Sequence, residues 1–400
     1  MNLKLTLANI TFAFIIFLLA AKFTFSYLNV DVVWWLRYLT PNYEKFNPLH
    51  LPKNTTEIIE FALLPAMLFY LLISFNKLGI LKLPIFLTCI MLLLNGMTAF
   101  INDIGILGSI RFTLKISNPI YFFIILLVQA NRTGKNHLWL IKWAIVYFLF
   151  LSTVALLFFD VSFNRGQERW PVFFSGLHTH NYILAVTFIA LSYFLRKHTY
   201  ILLVYFFITF AFLAFGYAVR TTMVFYFFYM AVILYLKEDF FKNIYAKFIA
   251  YTPFLLLFLF SVLRDFDFDR FSSGRLTMYA KKFQILENYQ FHEYLFGRGW
   301  GSDLVKTVEW WYAEKGSHND YLTFFIENGV FFLMVFLLLI SSLLILSKKN
   351  HVVYVALILG YLLTSLISNG FAVRTLASYW FFAVLAFFYI EHKNKTLSFV

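Results

Sequence analysis

The chain reads as a series of long apolar tracts separated by short polar connections, with one polar stretch, Arg264 to Gly316, far longer than the rest. The tracts are continuous rather than alternating, and roughly 20 apolar residues are what a helix needs to cross about 30 Å of hydrocarbon. Lipid offers no partner to a backbone N–H or C=O, so each tract must pair its own groups as a helix. The pattern predicts twelve spans, at 5–27, 58–75, 83–101, 116–131, 138–159, 179–195, 199–216, 219–236, 244–263, 319–346, 351–368 and 372–390. The first resembles a signal peptide, with Lys4 ahead of it and Ala20-Ala21 near its end, but the spans that follow make cleavage unnecessary. It is read as a retained helix. The expected organisation is all-α and polytopic: transmembrane helices 1–9 over residues 1–263, a large loop over 264–318, and helices 10–12 over 319–400.

Composition sharpens this picture. Hydrophobic residues make up 61% of the chain and charged residues 13%, against roughly a quarter charged in soluble domains. The bilayer is therefore the first partner, and a soluble enzyme or a nucleic-acid binder is not expected. Cys89 is the one cysteine, so no intrachain disulfide and no cysteine-based metal site is available.

The net charge of +13 resolves into two signals. Alternate connections carry fifteen lysines and arginines, from Lys4 and Lys77 through Arg132, Arg196 and Lys237 to Lys395, against Glu238, Asp239 and Glu391. By the positive-inside rule these connections and both termini are cytoplasmic, and the long loop faces out. Of the twelve arginines only Arg132 and Arg196 fall inside. Lysine orients the chain, while arginine, a planar fork suited to bidentate recognition of phosphate, gathers on the outer face. Arg220 and Arg374 are the least readily explained as solvated surface, because they sit in very short connections between helices.

Several clusters offer chemistry. Ser317-x-x-Asp320 fits a capping box, which makes His318 the first residue of the tenth span. At the positive end of a helix dipole an imidazole with a reference pKa of about 6.5 is largely neutral at pH 7, the form that accepts a proton. His318 is thus a candidate general base, set against the plainer reading of an interfacial helix-start residue. His178, Thr179, His180 and Asn181 form a second polar knot, whose two-residue spacing suits metal ligation poorly on a helix. Asp265, Asp267 and Asp269 look like overlapping Asp-x-Asp pairs, but lie outside, where nucleotide sugars are absent, and read better as an interfacial strip. Trp310-Trp311-Tyr312 reads as an aromatic belt ahead of a sugar platform. No Walker loop, Gly-x-Ser-x-Gly elbow or His-Glu-x-x-His is present.

Taken in order, Arg220-Thr221-Thr222, Ser273-Gly274-Arg275, Phe296-Gly297-Arg298-Gly299-Trp300-Gly301-Ser302, Ser317-His318-Asn319-Asp320-Tyr321-Leu322 and Glu327-Asn328-Gly329 resemble the O-antigen ligase and polymerase family over roughly residues 178–346. The resemblance implies a GT-C-like glycosyltransferase of the bacterial inner membrane. Such an enzyme moves a glycan from an undecaprenyl-diphosphate carrier to an acceptor on the outer side, without cofactor or metal. It assigns His318 as the catalytic residue and Arg220 and Arg275 as ligands of the carrier diphosphate. Arg298, Arg374, Asn181, Asn319 and Tyr321 rank second, and Arg298 stands where the family usually has an apolar residue. Polymerisation of surface-polysaccharide repeat units is the first expectation and ligation onto lipid A-core the second, with a chain-length regulator or flippase as a further partner. From another class, twelve spans also suit a lipid-linked sugar transporter. That reading calls for related halves and mid-membrane polar residues, and neither is evident.

Overall fold

The computed structural model describes residues 3–28, 55–134, 138–158, 162–164, 167–171, 176–237, 274–306, 308, 314–347 and 352–393. Thirteen α-helices carry these residues: Leu3–Leu28 (α1), Thr55–Ile73 (α2), Lys82–Ile101 (α3), Ile106–Thr133 (α4), Leu138–Phe158 (α5), Leu177–Leu195 (α6), Thr199–Gly216 (α7), Arg220–Lys237 (α8), Arg275–Glu287 (α9), Phe291–Phe296 (α10), Asp320–Ile345 (α11), Val352–Ile367 (α12) and Thr375–Lys393 (α13). Two small antiparallel hairpins join them, β1 (Ser162–Asn164) with β2 (Gln167–Arg169) and β3 (Val305–Lys306) with β4 (Glu314–Lys315). Among the described residues seven helices are long and apolar enough to cross a membrane, as a polytopic membrane protein requires. Helices lie over eleven of the twelve predicted spans, and the span at 244–263 falls outside the described residues.

Burial separates the helices into a core and a shell. In α4 the most apolar window is 94% buried, whereas in the other six candidate spans the figure is 28–44%. A helix buried all round is a core helix, and one apolar on every side yet half exposed faces lipid. α13 lies along α4 through aromatic contacts, Phe122 edge-on to Tyr379 at 6.1 Å and Phe123 tilted against Phe382 at 6.0 Å. Around this pair, α1 packs on α2, α3 on α11, α8 on α12 and α6 on α13.

The fourth span differs from its expected bounds. α4 begins at Ile106, well before the predicted 116; in its polar first turns Arg111 pairs with Glu57, while the Ser109 and Thr113 hydroxyls are buried with no hydrogen-bond partner among the described residues. Hydropathy counts these polar residues against a span, which is why the predicted start falls later.

The polar loop is folded onto the bundle. α9 and α10 pack at the end where α11 begins, and the glycine motif interlocks with Glu327-Asn328-Gly329. Arg298 N donates to Ile326 O at 3.1 Å, Gly299 N to Glu327 O at 2.8 Å and Gly301 N to Glu327 Oε1 at 2.9 Å. The approach is too close for side chains. A Cβ on Gly297 would lie 2.4 Å from Asn328 N, and one on Gly329, where φ is +76° and α11 kinks, 2.2 Å from Leu295 O. α3 completes the clamp: Asn95 Nδ2 donates to Asn328 Oδ1 at 2.6 Å, and Thr98 Oγ1 to Phe296 O at 2.6 Å.

Candidate functional site

The start of α11 corrects the sequence expectation. Ser317 does not cap the helix, and His318 is not its first residue. The N-cap is Asn319, whose Oδ1 accepts from Leu322 N at 3.1 Å, and the helix begins at Asp320. Ser317 is drawn away by Asp303: Ser317 N and Oγ donate to its two carboxylate oxygens at 2.8 and 2.6 Å, and Thr323 Oγ1 adds a third bond at 2.7 Å. Lys282 of α9 closes the network at 2.9 Å, both side chains being almost wholly buried. Burial alone draws the Lys282 ammonium below its ordinary pKa, and the Asp303 charge opposes that shift.

His318 is thereby held outside the helix, between two anchored neighbours. Its φ is +52°, a region that non-glycine residues enter at a cost of about 1–3 kcal/mol unless their surroundings fix them. The surroundings here are Ser317 on Asp303 and Asn319 on α12, where Asn319 Nδ2 donates to Leu366 O at 3.0 Å. Arg275, the first residue of α9, reaches the next carbonyl along: its Nη1 donates to Ile367 O at 2.6 Å. One turn later Tyr279 stands within hydrogen-bonding reach of Asn319, with the Arg275 charge beside it. The last carbonyls of α12, which have no intrahelical partner, are thus met by Asn319 and Arg275 together. This brings the His318 segment and Arg275 to one rim.

Below the rim, Asp320 is fully buried and its Oδ2 accepts from Gly370 N at 2.9 Å. Arg374 lies in the same connection between α12 and α13. Its Nε donates to Asn369 O at 2.9 Å, its Nη1 reaches Thr179 Oγ1 at 3.4 Å, and its guanidinium stands 5.8 Å from the Tyr182 ring centre. Arg220 opens α8 with an exposed side chain, and Ala218 just before it has φ +53°. The hydrogen bonds that gather the His318 segment and Arg275 at the end of α12 do not run through Arg220.

The second-rank residues divide. Arg298 is engaged by Glu293 through Nε and Nη2 at 2.8 and 3.1 Å, donates to Asn288 O at 2.8 Å, and covers the Tyr289 ring at 4.2 Å. Tyr321 donates to Leu362 O at 2.8 Å. Both brace the fold, and Asn319 does so as cap and tie. Asn181 differs: it is fully buried in α6, and neither side-chain atom has a hydrogen-bond partner among the described residues. His180 Nε2 lies 3.2 Å from Tyr217 OH. No group of three or more His, Cys, Asp or Glu side chains converges among the described residues, and Asp265, Asp267, Asp269, Trp310, Trp311 and Tyr312 fall outside them.

The structure adds residues that motif reading passes over. Asp303 and Lys282 carry the loop, and no local pattern links a lysine on a helix to an aspartate in a distant turn. Lys22, Glu60 and Lys115 gather beside Arg374 at the same end of the bundle, around a cavity of about 360 Å³. Lys22 interrupts the first predicted span, which was the available signal. Comparison of the chain with protein-family models, with curated proteins and with solved structures returns no match.

Proposed function

We propose that the protein is a twelve-span, GT-C-like membrane glycosyltransferase of the bacterial inner membrane, with cytoplasmic termini. It moves a glycan from undecaprenyl diphosphate to an acceptor hydroxyl on the outer face. The observation that carries the reading is the posture of His318: a strained imidazole-bearing residue, clamped on both sides, one residue from the carbonyl pair that Arg275 shares. Strain maintained by a buried network is a mark of a working position.

In this reaction the acceptor oxygen attacks the anomeric carbon, the bond from that carbon to the diphosphate oxygen breaks, and the centre inverts. His318 takes the acceptor's proton, and the carrier leaves as undecaprenyl diphosphate. A positioned base contributes about 10²–10⁴-fold. Fixed guanidinium groups neutralise the departing charge without reorganising, the role of Arg275 and Arg220. The Arg275 bond to Ile367 O sets the plane of its fork. Polymerisation of repeat units is the first form of the activity and ligation onto lipid A-core the second.

The test uses purified protein with undecaprenyl-diphosphate oligosaccharide labelled in the glycan. Lengthening of the lipid-linked chain identifies a polymerase, and label moving to a different lipid identifies a ligase. Label crossing a proteoliposome membrane with no new glycosidic bond contradicts the transferase.

A further inference from the structure

The cavity beside Arg374 has a charge imbalance. Four cations line it, Lys22, Arg111, Lys115 and Arg374, against two carboxylates, Glu57 and Glu60. Lys22 pairs with Glu60 and Arg111 with Glu57. Lys115, half-buried in α4, feels the charges of Glu57 and Glu60 without a close ion pair of its own among the described residues, and Arg374 meets a carbonyl, a hydroxyl and the Tyr182 ring, with the charge of Asp320 beyond. Cations withdrawn from water in excess of their counter-charges are costly, and an anion entering the cavity offsets that cost.

A second observation specifies the anion. An apolar groove of about 210 Å³ lies farther along the same helices. On α1 the lining passes from Lys22 in the cavity to Leu19 and Ile16 in the groove, and on α13 from Leu376 to Trp380 and Ala383. On α4 it passes from Lys115 to Phe122, about 10 Å at 1.5 Å per residue. Tyr379 joins the two spaces: its hydroxyl donates to Glu60 Oε1 at 3.0 Å while its ring lines the groove. The α5 wall, with Trp143 largely exposed, opens the groove toward the surrounding lipid.

We infer that cavity and groove form one binding site for a lipid phosphate, with the phosphate or diphosphate headgroup among Lys115, Arg374 and Arg111 and the apolar chain along α1, α4, α5 and α13. A lining with four cations against two carboxylates, two of the cations being guanidinium forks, matches a phosphate dianion or diphosphate better than a single carboxylate. The site is distinct from the Arg220 and Arg275 rim and shares only Arg374 with it. It rests on the membrane-embedded fold and not on the transferase reading, and its test needs no turnover.

The test is equilibrium binding to the purified full-length protein in nanodiscs, with undecaprenyl phosphate as probe and undecaprenol, inorganic pyrophosphate and oleate as comparison ligands. Undecaprenyl phosphate should bind at least about tenfold more tightly than each of the three. Lys115→Gln should weaken it about tenfold and Lys115→Arg restore most of the loss. Ala144→Trp, which fills the groove, should weaken undecaprenyl phosphate and leave pyrophosphate unchanged. Equal binding of undecaprenol or oleate, or unchanged affinity in Lys115→Gln, overturns the inference. If Lys115→Gln lowers the unfolding temperature too far to assay, Ala144→Trp decides, and unchanged affinity there overturns it as well.

Discussion

At the scale of single residues, the posture of His318 depends on an acid that is not among the residues named from the sequence. Asp303 accepts from Ser317, Thr323 and Lys282 at once, and through Ser317 it sets the backbone on which His318 sits. Removing one partner of a buried ion pair leaves the other uncompensated, at about 3–5 kcal/mol. Asp303→Ala should therefore lower unfolding stability by an amount of that order. Lys282→Met combined with Asp303→Ala should lose less than the sum of the two single changes, which a double-mutant cycle by denaturant unfolding measures. That His318 and Arg275 belong to candidate motifs was legible because each stands in a short pattern with a chemical meaning, and the structure brings the His318 segment and Arg275 to the same end of α12. The placement of His318 was not, since Ser317-x-x-Asp320 satisfies a capping pattern that tertiary hydrogen bonds to Asp303 override.

At the scale of elements, the glycine and Glu-Asn-Gly motifs prove to be two halves of one joint. Their spacing was visible in sequence, and their contact was not, because it depends on the kink that brings Leu295 O against Gly329. Gly329→Ala meets both a positive φ and a backbone clash, while Gly301→Ala, with φ +88° and open space around it, meets the first alone. Thermal unfolding should show a loss of about 1 kcal/mol for Gly301→Ala and a clearly larger one for Gly329→Ala. α10 brings a pH dependence as well. The Arg298 hydrogen bonds hold Glu293 below its ordinary pKa of 4.5, so its contribution is complete above that value and is lost as pH falls through the lower folded value. Solvent screening limits the effect to about 0.5–1 kcal/mol. Hydrogen-exchange protection factors over residues 288–298, taken relative to the intrinsic rate at each pH, should fall at the acid end in the wild type and lose that pH dependence in Glu293→Gln.

At the scale of the whole molecule, hydropathy located the helices but did not rank them by burial. A lipid-facing helix and a buried one are both apolar, so sequence did not distinguish α4 and α13 as the central pair. The polar end of α4, where Arg111 and Lys115 meet Glu57 and the cavity, was read as loop. The proposed orientation is open to direct labelling, since Cys89 is the single cysteine. In a Cys89→Ser background, Ser302→Cys should react with an impermeant maleimide on intact cells, and Lys135→Cys only after permeabilisation. The reverse order would invert the topology and remove the site from the outer face.

The most direct measurement is single-turnover glycan transfer from labelled undecaprenyl-diphosphate oligosaccharide by wild-type protein and by His318→Ala, with donor binding measured on both. The account predicts a rate lowered about 10²–10⁴-fold in His318→Ala with donor affinity retained. Transfer at the wild-type rate in His318→Ala would contradict it.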